Sequence, residues 1–107
     1  MFLAKVTGAV VATQKVQSMV GQKLLIVEPY RLEAKKRETL VPLGRTFVTV
    51  DTLGAGEGEF VLITQGSSAR LTPETKNLPV DTVIIGIVDQ VHVEETCVFS
   101  KGQTDAS

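Results

Sequence analysis

The sequence predicts an all-β fold, a small five-stranded barrel carrying one or two short helical turns. Three observations predict it. Apolar residues make up 43% of the chain, yet it has no Trp, one Tyr and four Phe. The core is therefore filled by Val, Leu and Ile, and β-branched side chains fit a pleated, half-buried surface. Two long stretches, residues 2–13 and 80–93, alternate apolar and polar positions, and each is interrupted once by glycine, at Gly8 and Gly86. Glycine at such a place lets a strand bend around a small closed barrel. Five strand-like runs separated by turn residues, with a helical turn ahead of the last, complete the pattern.

Taken in order, residues 2–13 form a strand long enough to serve two halves of a barrel. Residues 14–22 place Val16, Met19 and Val20 at helical spacing and end on Gly21, which predicts a short turn plugging one barrel end. Residues 23–30 carry Leu24-Leu25-Ile26-Val27, a strand that Pro29 is expected to close because proline has no amide for a ladder. Residues 31–45 mix Glu33, Lys35, Lys36, Arg37 and Glu38 with Pro42 and Gly44, and read as a solvated excursion.

Phe47, Val48 and Val50 lead into Asp51, then Gly54, Gly56 and Gly58 alternate with Ala55 and Glu57 before an apolar strand at Phe60. This stretch predicts a β-hairpin with a glycine turn. Gly66 ends that strand, and Ser67 is placed to cap one helical turn over residues 68–71. Residues 72–79 are a turn-rich link, and 80–93 a single long strand in which Gln90, His92 and Glu94 share a face. Residues 1–99 are thus one barrel domain, and the small polar segment 100–107 a mobile tail. The element order suggests an OB-like Greek key.

Eleven Lys and Arg against twelve Asp and Glu leave a formal charge of −1. Such a balance gives no general attraction to nucleic acid or anionic lipid, and points to protein partners. No run approaches the roughly 20 apolar residues of a membrane helix, and the N-terminus lacks the pattern of a signal peptide. One cysteine, Cys97, excludes an internal disulfide.

Enzyme chemistry is poorly served. The glycine turn reads G-x-G-x-G rather than G-x-G-x-x-G, runs into a strand, and carries Glu57 and Glu59 where an anion would lie. Ser67 and Ser68 lack the G-x-S-x-G elbow, and His92 is the sole histidine. His92, Glu94 and Cys97 are too few for a closed metal site. Asp51, Glu57 and Glu59 lie on an open turn that offers no apolar pocket to split their proton affinities, although Asp51 or Glu59 is placed to pair with Arg70 of the same chain or of a neighbouring copy. No catalytic residue, cofactor or metal is expected. The alternative reading of an OB-like barrel, a single-stranded nucleic-acid binder, needs a basic groove and stacking aromatics, whereas the aromatic residues here are scattered.

Several blocks carry a resemblance. Met1-Phe2-Leu3-Ala4-Lys5-Val6-Thr7-Gly8, Val20-Gly21-Gln22-Lys23-Leu24-Leu25, residues 50–59, Gly66-Ser67-Ser68-Ala69-Arg70, and Pro79-Val80-Asp81 followed by Ile85-Gly86-Ile87-Val88-Asp89 occur in one order. Together they resemble the EutN/CcmL family of bacterial microcompartment vertex proteins over most of residues 1–93. The resemblance implies an OB-like barrel assembled into a homopentamer that caps the vertices of a cytoplasmic protein shell, beside hexameric shell proteins. Closed rings need heterologous contacts between two different patches. The expected contributors are Gly54, Ala55, Gly56, Glu57, Gly58 and Glu59 in the turn and Gly66, Ser67, Ser68, Ala69 and Arg70 in the helical turn.

Overall fold

The structure is a computed structural model and describes residues 1–13, 15–35, 39–76 and 80–101. Readings that fall on Gln14, on Lys36, Arg37 and Glu38, on Asn77 and Pro79, and on the tail from 102 lie outside the described residues. Eight strands are present among the described residues: β1 (Phe2–Val10), β2 (Lys23–Leu32), β3 (Leu40–Pro42), β4 (Phe47–Asp51), β5 (Phe60–Gln65), β6 (Thr82–Ile87), β7 (Gln90–Val93) and β8 (Thr96–Ser100). Two 3-10 turns, Gln17–Met19 and Gly66–Arg70, are the helical segments. No helix among the described residues is long and apolar enough to cross a membrane.

Five strands close into a barrel in the order β1-β5-β6-β4-β2, sealed by the pairing of β1 with β2. Every pairing in it is antiparallel except β4 with β6. This is the expected OB-like Greek key, with β3, β7 and β8 added. Its closure rests on β1, whose first half pairs with β5 from Phe2↔Ile63 to Lys5↔Phe60, while residues up to Val10 pair with β2. The register slips between Val6 and Gly8, so the glycine does mark the bend. On β6 the slip falls one residue before Gly86, because Leu62↔Gly86 is followed by Ile63↔Ile84 and Ile85 is left as the extra residue.

Alternation fills the barrel as period-two packing requires. Ala4 and Val6, Leu25 and Val27, Val61 and Ile63, and Ile84 all point inward and are essentially buried. Phe2 and Phe47, with ring centroids 5.5 Å apart, cover one mouth. A smaller cluster of Val50, Val83 and Ala69 lies on the outer side of β4 and β6 beneath the second 3-10 turn.

Five expectations are corrected. β4 and β5 are not a hairpin, since β4 pairs with β2 and β6, and β5 with β1 and β6. The glycine stretch instead carries the chain across a barrel mouth. Pro29 lies inside β2 rather than at its end, at the point where β2 leaves β4 and goes on to pair with β3; there it is called on only to accept, and Leu43 N donates to Pro29 O at 2.9 Å. Residues 31–45 are not wholly an excursion, because Tyr30↔Pro42 through Leu32↔Leu40 extend a hairpin beyond the barrel. Residues 80–93 form two strands, and β7 turns back on β8 in a separate two-stranded sheet. The first 3-10 turn is also a lesser plug than expected, with Val16 61% and Val20 56% exposed and only Met19 packed against the barrel.

The β7–β8 sheet is held to the barrel by Phe99, which stacks edge-to-face on Phe60 at 4.7 Å, as does Tyr30 at 5.0 Å. Its turn is strained. Glu94 and Glu95 both have positive φ, 48° and 70°, in a two-residue connection that favours Asn-Gly. Glu95→Gly is expected to stabilise the hairpin by about 1 kcal/mol, read as roughly fivefold slower amide exchange in β7 and β8; unchanged exchange would show that the turn stores no strain.

Candidate functional site

The glycine stretch starts from one carboxylate. Asp51, 5% exposed at the end of β4, accepts hydrogen bonds from Leu53 N at 2.9 Å and Gly54 N at 3.2 Å through Oδ1, and from Ala55 N at 2.8 Å through Oδ2. A short acidic side chain can fold the backbone in this way because it reaches amides two to four residues on. Gly54, at φ 83°, supplies the left-handed residue the tight path requires. Lys23 Nζ lies 3.7 Å from Asp51 Oδ2 and donates to Ala55 O at 3.2 Å. The result is to push Ala55, 1% exposed, into the barrel mouth, where it joins the main core.

The second half of the turn is stitched to β1 and β8. Gly58 N donates to Val6 O at 2.8 Å and Val6 N to Glu59 O at 2.9 Å. Glu59 Oε1 accepts from Gly56 N at 2.7 Å, and its Oε2 lies 2.6 Å from Lys101 Nζ. The Lys101 ammonium, then the Gly56 amide, hold the Glu59 carboxyl below its ordinary value, and Glu59 raises that of Lys101. The amides at Leu53, Gly54, Ala55 and Gly56 are therefore taken by the chain's own carboxylates, which leaves them nothing to offer a phosphate.

The second 3-10 turn begins at Gly66 with φ 70°, so Ser67 lies within the turn and does not cap it. Gly66 N donates to Asp81 O at 2.8 Å, and Arg70 Nη1 to Val80 O at 3.1 Å. Arg70 thus braces the chain entering β6 instead of pairing with Asp51 or Glu59, whose partners in the subunit are Lys23 and Lys101. Beneath it, buried Thr75 donates to Ala69 O at 2.7 Å and lies 2.6 Å from Thr72 Oγ1.

Of the expected contact residues, the two alanines are interior. Ala55 belongs to the main core and Ala69, 0% exposed, to the smaller cluster. Gly54, Gly56, Glu57, Gly58, Gly66, Ser67, Ser68 and Arg70 are exposed, and Glu59 is half-buried. The two groups are not brought together, for they lie at opposite ends of β5, separated by roughly 17 Å at about 3.3 Å per residue. Lys23, Lys101 and Thr75 are structural partners that sequence reasoning missed. Lys101 falls in a segment read as tail, whereas Thr72-Pro73-Glu74-Thr75 is a turn signal that could have flagged Thr75.

The remaining candidates stay apart. His92 Nε2 is 2.9 Å from Gln90 Oε1 on the β7–β8 sheet, and Cys97 Sγ donates to Phe99 O. Among the described residues no three His, Cys, Asp or Glu side chains converge on a metal position.

Asp51→Ala is expected to destabilise the subunit by about 3 kcal/mol, since it leaves a set of turn amides, one of them buried, without their charged acceptor. Urea denaturation measures it, and a loss under about 1 kcal/mol would deny Asp51 this role. The Glu59–Lys101 pair carries a pH signature. Because the folded carboxyl titrates below its ordinary value near 4.5, its contribution is present above that pH and is lost as pH falls through the depressed folded value. The stability difference between the wild-type chain and Lys101→Met should accordingly be present at neutral pH and shrink as pH falls through the depressed value of Glu59; a difference that does not shrink in acid would rule out the ion pair as its source.

Comparison with known proteins agrees with this geometry. The family model described as ethanolamine utilisation protein EutN/carboxysome matches residues 1–89. GrpN of Rhodospirillum rubrum, a bacterial microcompartment shell vertex protein, is 46% identical over 91 residues, covering 85% of this chain and 96% of GrpN. The structure of CcmL from Gloeobacter violaceus, which is a carboxysome shell vertex protein, superimposes with a TM-score of 0.83 at 38% identity, over 96% of this chain and all of that one. A structure of Rhodospirillum rubrum GrpN, described as a pentameric microcompartment shell protein, superimposes with a TM-score of 0.69 at 45% identity, over 87% of this chain and 98% of GrpN. With the profile, the sequence identity and the barrel all in agreement over nearly the whole length, this chain belongs to the EutN/CcmL family.

Proposed function

We propose that this chain is a structural shell protein which forms cyclic homopentamers and caps the vertices of a bacterial microcompartment. The observation that carries the reading is the pentameric shell relative, matched at 45% identity across 87% of this chain. The physical logic is geometric. A shell tiled by hexagonal units closes only where pentagons sit at its corners, so the useful property of a vertex subunit is the fixed angle at which its copies join. A closed barrel with one mouth filled by Ala55 and the other covered by Phe2 and Phe47 is a stiff body that can hold such an angle.

The chain acts in this reading without catalysing a reaction, and its partners are its own copies and the hexameric proteins of the shell facets, inside the cytoplasm. The exposed members of the glycine turn and of Gly66–Arg70 are offered as contact surfaces, their alanines having a role inside the subunit. No observation favours single-strand binding. Phe60 is buried, in edge-type contact with Tyr30 and Phe99, instead of being presented to a base.

The purified chain is expected to have a native mass of about 58 kDa, five copies of 11.5 kDa. Shells assembled without it should be open at the corners or elongated. A stable lone subunit, or normal closed shells in its absence, would overturn the proposal, and a salt-sensitive oligonucleotide complex would point to the nucleic-acid reading instead.

A further inference from the structure

The parallel seam of the barrel is short. β4 and β6 are paired only at Val50↔Val83 and Asp51↔Ile84. Toward their other ends the strands part, and Thr82 Oγ1 covers the freed Val48 O with a hydrogen bond of 2.7 Å. The parting opens a hollow of about 240 Å³ on the outer wall, lined by Met19, Leu24, Val48, Thr49, Val80 and Thr82, among others. Its floor is the small cluster of Val50, Val83 and Ala69, and its side at Val80 is held in place by Arg70.

One feature of the hollow is costly for a lone subunit. Val48 is 51% exposed at its rim, and Val16 and Val20, which bracket Met19 in the chain, are more exposed still. Thr49 pairs with the core residue Leu25 and turns its side chain to the barrel interior, so its hydroxyl is not part of the hollow. Apolar rims mark contact surfaces, and one incoming segment with an apolar side chain would remove that cost.

We propose that this hollow over the β4–β6 seam is the receiving half of the ring contact, filled by a second copy of the same chain whose inserted segment packs against Val48. The inference rests on the pentameric reading above and deepens it by locating one of the two patches. A second copy fits better than a charged partner because Asp81 is the sole charged residue among the described residues that line the hollow, and interface cores are depleted in charge. The pentameric relative supplies the precedent for self-association. In a closed ring the inserted segment comes from a different surface of the neighbour, so the hollow is never filled by its own counterpart.

The test compares native masses of the full-length chain and two variants. Val48→Lys should fold, since Val48 is half-exposed, but should raise the concentration needed for half-assembly at least about tenfold, leaving subunits of 11.5 kDa where the wild type is a ring. Val48→Ile should keep the ring. A folded Val48→Lys variant that assembles like wild type would overturn the inference and leave the pentamer standing, whereas a wild type that never forms rings would overturn the pentamer itself. Should the lysine variant fail to fold, Val48→Cys gives the answer by labelling: the introduced thiol should react with maleimide at least about tenfold more slowly in the assembled protein than in dispersed subunits, and equal rates would overturn the inference.

Discussion

Asp51 accepts three successive amides of the segment that follows it, those of Leu53, Gly54 and Ala55, while Lys23 reaches over to the same carboxylate and to Ala55 O. The rest of the fold depends on where this bends the chain. A strand leaving β4 without that constraint has every opportunity to turn back on β4 as a hairpin. With it, the backbone folds inward, places Ala55 against the core, and emerges beside Val6, where Gly58 and Glu59 take up β1. Only then is β5 positioned between β1 and β6, and the barrel can close. One buried acceptor thus links local turn chemistry to the global strand order.

Much of this was legible in the residues, and what was not shares one cause. Runs of aliphatic side chains marked the barrel strands, and single glycines marked where strands bend, because both signals are local and follow from side-chain shape. Partner choice is not local. G-x-G-x-G suits a chain that reverses and equally one that crosses, and the strands that decide between them, β1 and β2 on one side and β6 on the other, are distant in sequence. Pro29 misled for the same reason, since a proline is tolerated inside a strand wherever neither neighbour requires its amide. The β7–β8 turn escaped notice because Glu94-Glu95 is a poor signal for a conformation that both residues nevertheless adopt.

The candidate site was legible in part. Both expected patches exist as exposed turns, and Gly54, Gly58 and Gly66, though not Gly56, bear the positive φ angles that tight turns require. What the sequence does not distinguish is an alanine needed by a neighbour from an alanine needed inside, and Ala55 and Ala69 are both small because they fill tight spaces in the subunit's own core. Glu59 and Arg70 are engaged within the subunit as well. The two turns therefore have a role inside the subunit. The interactions that shape the turns also stiffen the barrel at each end of β5, and a stiff barrel is what allows a contact on its wall to define an angle instead of a range of angles.

Family membership and this rigidity lead to the same physical claim, that the subunit is a wedge of fixed shape whose copies meet at one angle. Electron microscopy of the assembled particle, resolved well enough to place each barrel, tests it most directly. The prediction is subunits related by a single fivefold rotation, each superimposing on the barrel described above with Asp51 still holding its turn. Sixfold particles, or rings in which the rotation between neighbours varies from copy to copy, would contradict it.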